Sequence, residues 1–79
     1  MTIKVPPTEA QAKLQCTFVP NITAMHVEKY GAHIRNPPAC PVMHEGALCA
    51  SYPSDDGKHV FAVYCDGQGN CTRRYECPA

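Results

Sequence analysis

The chain has 79 residues, and its seven basic and seven acidic side chains give a formal net charge of zero at pH 7. A balanced charge provides no long-range attraction to nucleic acid or to an anionic membrane, so neither is expected as a partner. The longest apolar run extends from Val60 to Val63 and is far shorter than the ~20 residues of a membrane helix, so no membrane span is expected.

Cysteine content indicates an oxidising compartment. A chain of this length buries too little apolar surface to be stable without crosslinks, and an even number of dispersed cysteines is typical of small secreted domains. The first residues are polar and contain prolines, unlike a signal peptide, so we expect a mature, extracellular form whose leader has been removed. The predicted disulfide residues are Cys16, Cys40, Cys49, Cys65, Cys71 and Cys77.

The chain is expected to form one domain behind a short arm. Residues 1–7 contain two adjacent prolines and predict a flexible N-terminal arm, followed by a single cysteine-rich domain over residues 8–79. Thr8 and Gln11 have the spacing of a capping box and favour a short helix. The alternation over residues 14–19 equally favours a strand, so both structures are kept for this segment.

The middle of the chain is ambiguous between helix and strand. Over residues 21–34, Asn21 is suited to cap a helix that Gly31 would end, but the apolar positions also fit one face of a strand. Because the rest of the chain has β character, we predict a strand here. Residues 48–52 predict another short strand, and residues 53–58 predict an exposed turn.

A β-hairpin is predicted over residues 59–77. An apolar run is followed by turn-forming residues at 66–70 and then by a polar and aromatic run, which is the pattern of two antiparallel strands. Both faces of the first strand carry apolar groups, so we expect it to be packed on two sides, closed into a barrel or covered by a partner chain. The second face would allow a homodimer.

Disulfide connectivity is only partly constrained. If residues 71–77 form a strand, Cys71 and Cys77 lie roughly 20 Å apart, beyond the reach of a disulfide, and their even spacing points both toward the interior. Cys40 and Cys49 enclose a short loop and are a plausible local pair. The predicted fold class is therefore mainly β: a small disulfide-stapled β-barrel or β-sandwich that ends in a β-hairpin, with at most one short helix.

Metal binding and catalysis are disfavoured by the spacing of their candidate residues. Zinc sites usually contain cysteine or histidine pairs two to four residues apart, and no Cys-x-x-Cys pair occurs near Cys40 and Cys49. The histidines show no signature of a small ribonuclease, and a short neutral chain has little room for a catalytic cleft. We therefore predict no enzymatic activity, no cofactor and no bound metal. The histidines that would serve the alternatives of metal binding or catalysis are His26, His33, His44 and His59.

Two resemblances bear on function. The dispersed cysteines, proline-containing start, neutral charge and hairpin-rich end are similar to those of small secreted cysteine-rich effector or elicitor proteins of filamentous fungi. This resemblance implies a non-catalytic protein that modulates plant defence by binding a host molecule. In the last third, Tyr64 before Cys65 and Pro78 after Cys77 more faintly resemble peritrophin-type chitin-binding modules, although Cys71 inside the hairpin departs from that pattern.

Binding residues are expected on the hairpin, where rings and a cation could contact a host protein or a cell-wall glycan. The candidates are Phe61, Tyr64, Arg73 and Tyr75. The triplet that begins at Asn21 satisfies the N-glycosylation pattern and makes Asn21 a candidate modification site in a secreted protein.

Overall fold

The computed structural model of the chain describes residues 5–36, 40 and 44–78. These residues form a mainly β fold with short helices, as the composition and hairpin pattern predict. No helix among them is long and apolar enough to cross a membrane. In chain order the elements are α1 (Glu9–Gln15), β1 (Thr17–Phe18), α2 (Ala24–Tyr30), a 3-10 helix (Ala32–Arg35), β2 (Leu48–Pro53), β3 (His59–Tyr64) and β4 (Arg73–Pro78).

The four strands form one antiparallel sheet in the order β1-β4-β3-β2. Strands β3 and β4 are the predicted hairpin, with Val60 opposite Cys77 and Tyr64 opposite Arg73. Short β1 pairs with β4 at one edge, and β2 pairs with β3 at the other. The mainly β fold class is confirmed, but among the described residues the strands form this single sheet, with helices over its apolar faces, and not the predicted barrel or sandwich.

Alternate residues of β3 point to opposite faces of the sheet, and each face has its own core. The cluster beneath α2 and the 3-10 helix contains Val19, Tyr30, Ile34, Phe61, Val63, Cys65 and Cys71. The cluster beneath α1 contains Ala12, Ala62, Tyr64, Tyr75 and Cys77. Residues Val60 to Tyr64 are each at most 3% exposed. The second apolar face of β3, on which a homodimer was predicted, is therefore covered by a helix of the same chain, and the homodimer itself stays a prediction.

Within residues 21–34 the chain forms α2 and most of the 3-10 helix, which corrects the predicted strand. Thr23 caps α2 through a reciprocal pair of bonds: its hydroxyl accepts from the His26 N–H at 3.4 Å, and His26 Nδ1 accepts from the Thr23 N–H at 3.1 Å. Gly31 ends α2 with a φ of 102°, a conformation that favours glycine. The usual sequence signal is lacking because a histidine occupies the position that glutamate or glutamine normally takes in a capping box.

The segment after Thr8 contains both predicted structures in succession. The Thr8 hydroxyl accepts from the Gln11 N–H at 3.5 Å and caps α1, which ends at Gln15. The chain then enters β1 directly, so the helix and strand interpretations each apply to part of the segment. The described residues therefore contain two α-helices, α1 and α2, whereas at most one short helix was expected.

Part of the predicted N-terminal arm is anchored to the sheet. Pro6 is buried, and its carbonyl oxygen accepts from the Tyr64 hydroxyl at 2.7 Å. The Pro7 carbonyl accepts from the Leu48 N–H at 3.2 Å. These bonds fix the chain just before α1, whereas residues 1–4 of the predicted arm lie outside the described residues.

All six cysteines are bonded, as Cys16–Cys77, Cys40–Cys65 and Cys49–Cys71. The exclusion of a Cys71–Cys77 pair is confirmed. The predicted local Cys40–Cys49 pair is wrong: the Cys40 N–H bonds the Gly69 carbonyl at 3.1 Å, which places Cys40 beside the loop between β3 and β4.

Cys71 and Cys77 are both buried, as predicted, but they do not share a face. Cys71 packs beneath α2 and Cys77 beneath α1. The reason is that β4 begins only at Arg73, so the alternation that holds from Arg73 to Cys77 does not extend back to Cys71.

Candidate functional site

A groove with a volume of about 370 Å³ lies between α1 and the edge of the sheet formed by β1 and β4. This volume is near the lower end of the roughly 300–1,000 Å³ common for small-molecule sites. We call it the α1–β4 groove, and it is lined by Glu9, Lys13, Cys16, Phe18, Arg73 and Tyr75.

The helical side of the groove is set by spacing and by one disulfide. Glu9 and Lys13 are four residues apart and therefore share a face of α1. Cys16 follows the helix and is bonded to Cys77 of β4, with a Cα–Cα distance of 4.5 Å. This bridge holds the end of α1 against the sheet and fixes the width of the groove there.

The sheet side of the groove is set by strand register. Arg73 and Tyr75 are two residues apart on β4 and point to the same face. Phe18 lies opposite Tyr75 in the β1–β4 pair, and their ring centroids are 5.4 Å apart. Tyr75 is only 3% exposed, but Phe18 is 52% exposed. Tyr75 therefore forms the floor, and Phe18 offers an accessible aromatic surface.

The polar groups of the floor are bonded to one another. Glu9 is 6% exposed, and its carboxylate accepts from the Tyr75 hydroxyl at 2.9 Å and pairs with Arg73 at 3.4 Å. Arg73 also lies 3.8 Å from the Glu45 carboxylate. Burial, together with the hydrogen bond to Glu9, raises the pKa of Tyr75 to about 12. The floor of the groove thus consists of the Glu9–Arg73 ion pair and the neutral phenol of Tyr75.

Two cationic groups remain available to a ligand. Lys13 is exposed and has no ion-pair partner among the described residues. The Arg73 side chain is 39% exposed, and a guanidinium carries five N–H donors, more than its carboxylate neighbours use. A ligand with one flat or apolar face and with carboxylate or hydroxyl oxygens would match the Phe18 ring and these donors.

The structure divides the predicted binding residues into two pairs. Arg73 and Tyr75 line the α1–β4 groove. Phe61 and Tyr64 are each 0% exposed and belong to the two cores, so the prediction that they contact a ligand is corrected.

Sequence reasoning missed three groove residues, Glu9, Lys13 and Phe18. Their proximity to β4 depends on how α1 packs and on the β1–β4 register, which the sequence did not reveal. The strand-like alternation through Phe18 was the only available signal.

The histidines considered for metal binding or catalysis are dispersed. His26 caps α2, and the His33 ring lies 4.6 Å from the ring of Tyr52. Among the described residues, Cys40 and Cys49 lie close to Cys65 and Cys71, and these four could together hold a metal ion. His59 and the exposed His44 are not part of this group. Asn21 is exposed between β1 and α2, and its glycosylation stays a prediction.

Comparison with known proteins adds no relative. No protein-family model matches the chain, and neither curated proteins nor solved structures give a match. The effector-type and chitin-binding resemblances therefore stay predictions, and the function is argued from the groove itself.

Proposed function

We propose that the protein is a secreted, non-catalytic binding protein that modulates plant defence by holding a host molecule in the α1–β4 groove. The observation that carries this proposal is the Phe18 ring, which is 52% exposed at the edge of a groove in which Glu9 and Tyr75 are buried and bonded to each other. Accessible aromatic rings beside well-packed pockets are frequent anchors of binding surfaces.

Rigidity of the groove supports a binding role. The Cys16–Cys77 bridge holds α1 to β4, and the Glu9–Tyr75 hydrogen bond crosses the same interface beneath the groove. A site already fixed in shape loses little conformational entropy when a ligand arrives, so more of the contact energy appears as affinity. Three disulfides in a small domain are also compatible with an extracellular setting.

The test compares Phe18→Ala with Met25→Ala. Both side chains are large, apolar and exposed, 52% and 69% respectively, but Met25 lies on α2, which packs on the opposite face of the sheet. Each purified variant is applied to plant tissue, and the oxidative burst that follows an elicitor is measured. We expect Phe18→Ala to lose the wild-type effect and Met25→Ala to retain it.

Two outcomes would contradict the proposal. If wild-type protein leaves the defence response unchanged over a wide concentration range, the effector function is wrong. If Phe18→Ala and Met25→Ala act like wild type while both remain folded by circular dichroism, the function does not use the α1–β4 groove.

A glycan is the second candidate ligand, and it is favoured by the combination of Phe18 with the donors of Lys13 and Arg73. Sugars present a flat C–H face to aromatic rings and hydroxyl groups to charged side chains. We expect wild type to bind chitin or another arrayed glycan at least about tenfold more tightly than Phe18→Ala, a loss of about 1.4 kcal/mol. Absence of binding to insoluble chitin and to the array would exclude this candidate.

A further inference from the structure

Four cysteine sulfurs lie in one cluster on the α2 side of the protein. Their Sγ atoms all lie within 4.8 Å of one another, although the residues come from separate parts of the chain. They are joined in pairs as Cys40–Cys65 and Cys49–Cys71. We call this group the four-sulfur cluster; Cys16–Cys77 lies on the opposite face of the sheet, beneath α1.

Once both S–S bonds are open, these four side chains are close enough to form a second kind of crosslink, a tetrahedral metal centre. Zinc bound by four thiolates has Zn–S distances of about 2.3 Å, which places the sulfurs roughly 3.8 Å apart. In the disulfide form the two sulfurs of each pair are bonded and therefore closer than this, so they must rotate apart, but all four already lie within 4.8 Å of one another. The Cα atoms are 5.9 Å apart in Cys40–Cys65 and 6.3 Å apart in Cys49–Cys71, and once the S–S bonds are open the side chains of each pair can turn to hold a metal ion between their sulfurs.

The backbone around the cluster is held by bonds that do not depend on sulfur. The Cys65 N–H donates to the Ala47 carbonyl at 2.9 Å, and the Cys40 N–H donates to the Gly69 carbonyl at 3.1 Å. Cys49 lies within β2, whose ladder to β3 continues on both sides of it. These bonds favour the same arrangement of the four cysteines when a metal ion replaces the disulfides as the crosslink, so that metal binding and folding of the reduced chain are coupled.

We propose that, when its disulfides are reduced, the four-sulfur cluster binds one Zn²⁺ ion through Cys40, Cys49, Cys65 and Cys71. A dithiol reductant supplies two electrons and two protons to each disulfide, yielding two cysteine thiols and one oxidised dithiol. Binding of Zn²⁺ then displaces the four thiol protons and leaves a zinc tetrathiolate. The same four residues crosslink the fold as disulfides in an oxidising compartment and as metal ligands in a reducing one.

Access to the cluster is one-sided. Cys65 and Cys71 are 0% and 2% exposed, whereas Cys40 and Cys49 are partly exposed. A metal ion would therefore enter between Cys40 and Cys49 and complete its shell with the two buried sulfurs. A closed site of four thiolates is the arrangement of structural zinc, which adds stability and has no open position for catalysis.

The test uses the full chain, reduced anaerobically with a dithiol that is then removed by gel filtration. Cobalt(II) is titrated in as a spectroscopic substitute, and Zn²⁺ is added afterwards. We expect the absorption of tetrahedral thiolate-bound cobalt to saturate at one ion per chain and to disappear on addition of zinc. Native mass spectrometry should show one zinc ion and the loss of the thiol protons, and oxidised protein should bind neither metal.

Two variants separate a built site from chelation by an unfolded chain. Cys16→Ala/Cys77→Ala leaves the four-sulfur cluster intact and should keep the full cobalt signal, whereas Cys65→Ala should lose the tetrathiolate spectrum. Reduced wild type that binds no cobalt would overturn the proposal. Equal loss of signal in both variants, or no rise in melting temperature of reduced protein with zinc, would also overturn it.

Discussion

The Cys16–Cys77 bridge should contribute more to stability than either other disulfide, because it closes the longest loop. Its sequence separation is 61, compared with 25 and 22 for the other two bridges. The perturbation is Cys16→Ala/Cys77→Ala, which leaves no unpaired thiol to exchange. Alanine is chosen because Cys77 is 2% exposed, and serine would place a hydroxyl group in the core.

Loop-closure entropy gives the magnitude. A loop of this length corresponds to about 4.3 kcal/mol at 25 °C, and a loop closed by Cys49–Cys71 to about 3.4 kcal/mol. The two inner bridges shorten the effective outer loop to about 40 residues, which lowers its contribution only to about 3.9 kcal/mol. We therefore expect the double variant to lose about 4 kcal/mol of unfolding free energy, which is most of the stability of a small domain.

Reversible urea unfolding followed by tyrosine fluorescence measures this loss, and Cys49→Ala/Cys71→Ala is the matched control. Both double variants should be destabilised, and the Cys16/Cys77 variant by more. An unfolding free energy within about 1 kcal/mol of wild type for the Cys16/Cys77 variant would refute the reasoning, since it would mean that the unfolded chain gains little freedom when this loop opens.

Two pH dependences follow from groups fixed in the fold. Burial raises the pKa values of Tyr64 and Tyr75 to about 12, so the folded chain keeps phenol protons that the unfolded chain releases near pH ~10. The unfolding free energy should be level below pH ~10, fall as pH rises from ~10 to ~12, and fall less in Tyr64→Phe; an identical fall in that variant would contradict this assignment. At acid pH, burial acts to raise the pKa of Glu76, but the hydrogen bonds from Tyr30 and Lys29 outweigh it and lower the pKa from 4.5. The stability that Glu76 contributes should therefore be present above pH 4.5 and be lost as pH falls through the lowered pKa. In Glu76→Gln, the unfolding free energy measured by urea titration should depend less on pH in that range. A variant with the acid sensitivity of wild type would count against this assignment.

Local patterns in the sequence determined the hairpin and its strand faces. The alternation in β3 and the turn residues after Cys65 specify two antiparallel strands, and the structure confirms them. Extended-strand geometry likewise excluded a Cys71–Cys77 disulfide before any pairing was known. These predictions succeed because the period of a strand and the reach of a disulfide are properties of a few neighbouring residues.

Only the tertiary structure decided which faces are covered and which residues meet. Helix α2 depends on a capping pair, Thr23 with His26, that no common pattern announces, and its packing turns Phe61 from a candidate ligand contact into core. In the α1–β4 groove, Glu9 and Arg73 are in contact although they lie near opposite ends of the sequence. The four-sulfur cluster likewise brings together cysteines from separate parts of the sequence. The physical reason is that such contacts depend on strand register and helix packing, which are set by the whole core and not by neighbours in sequence.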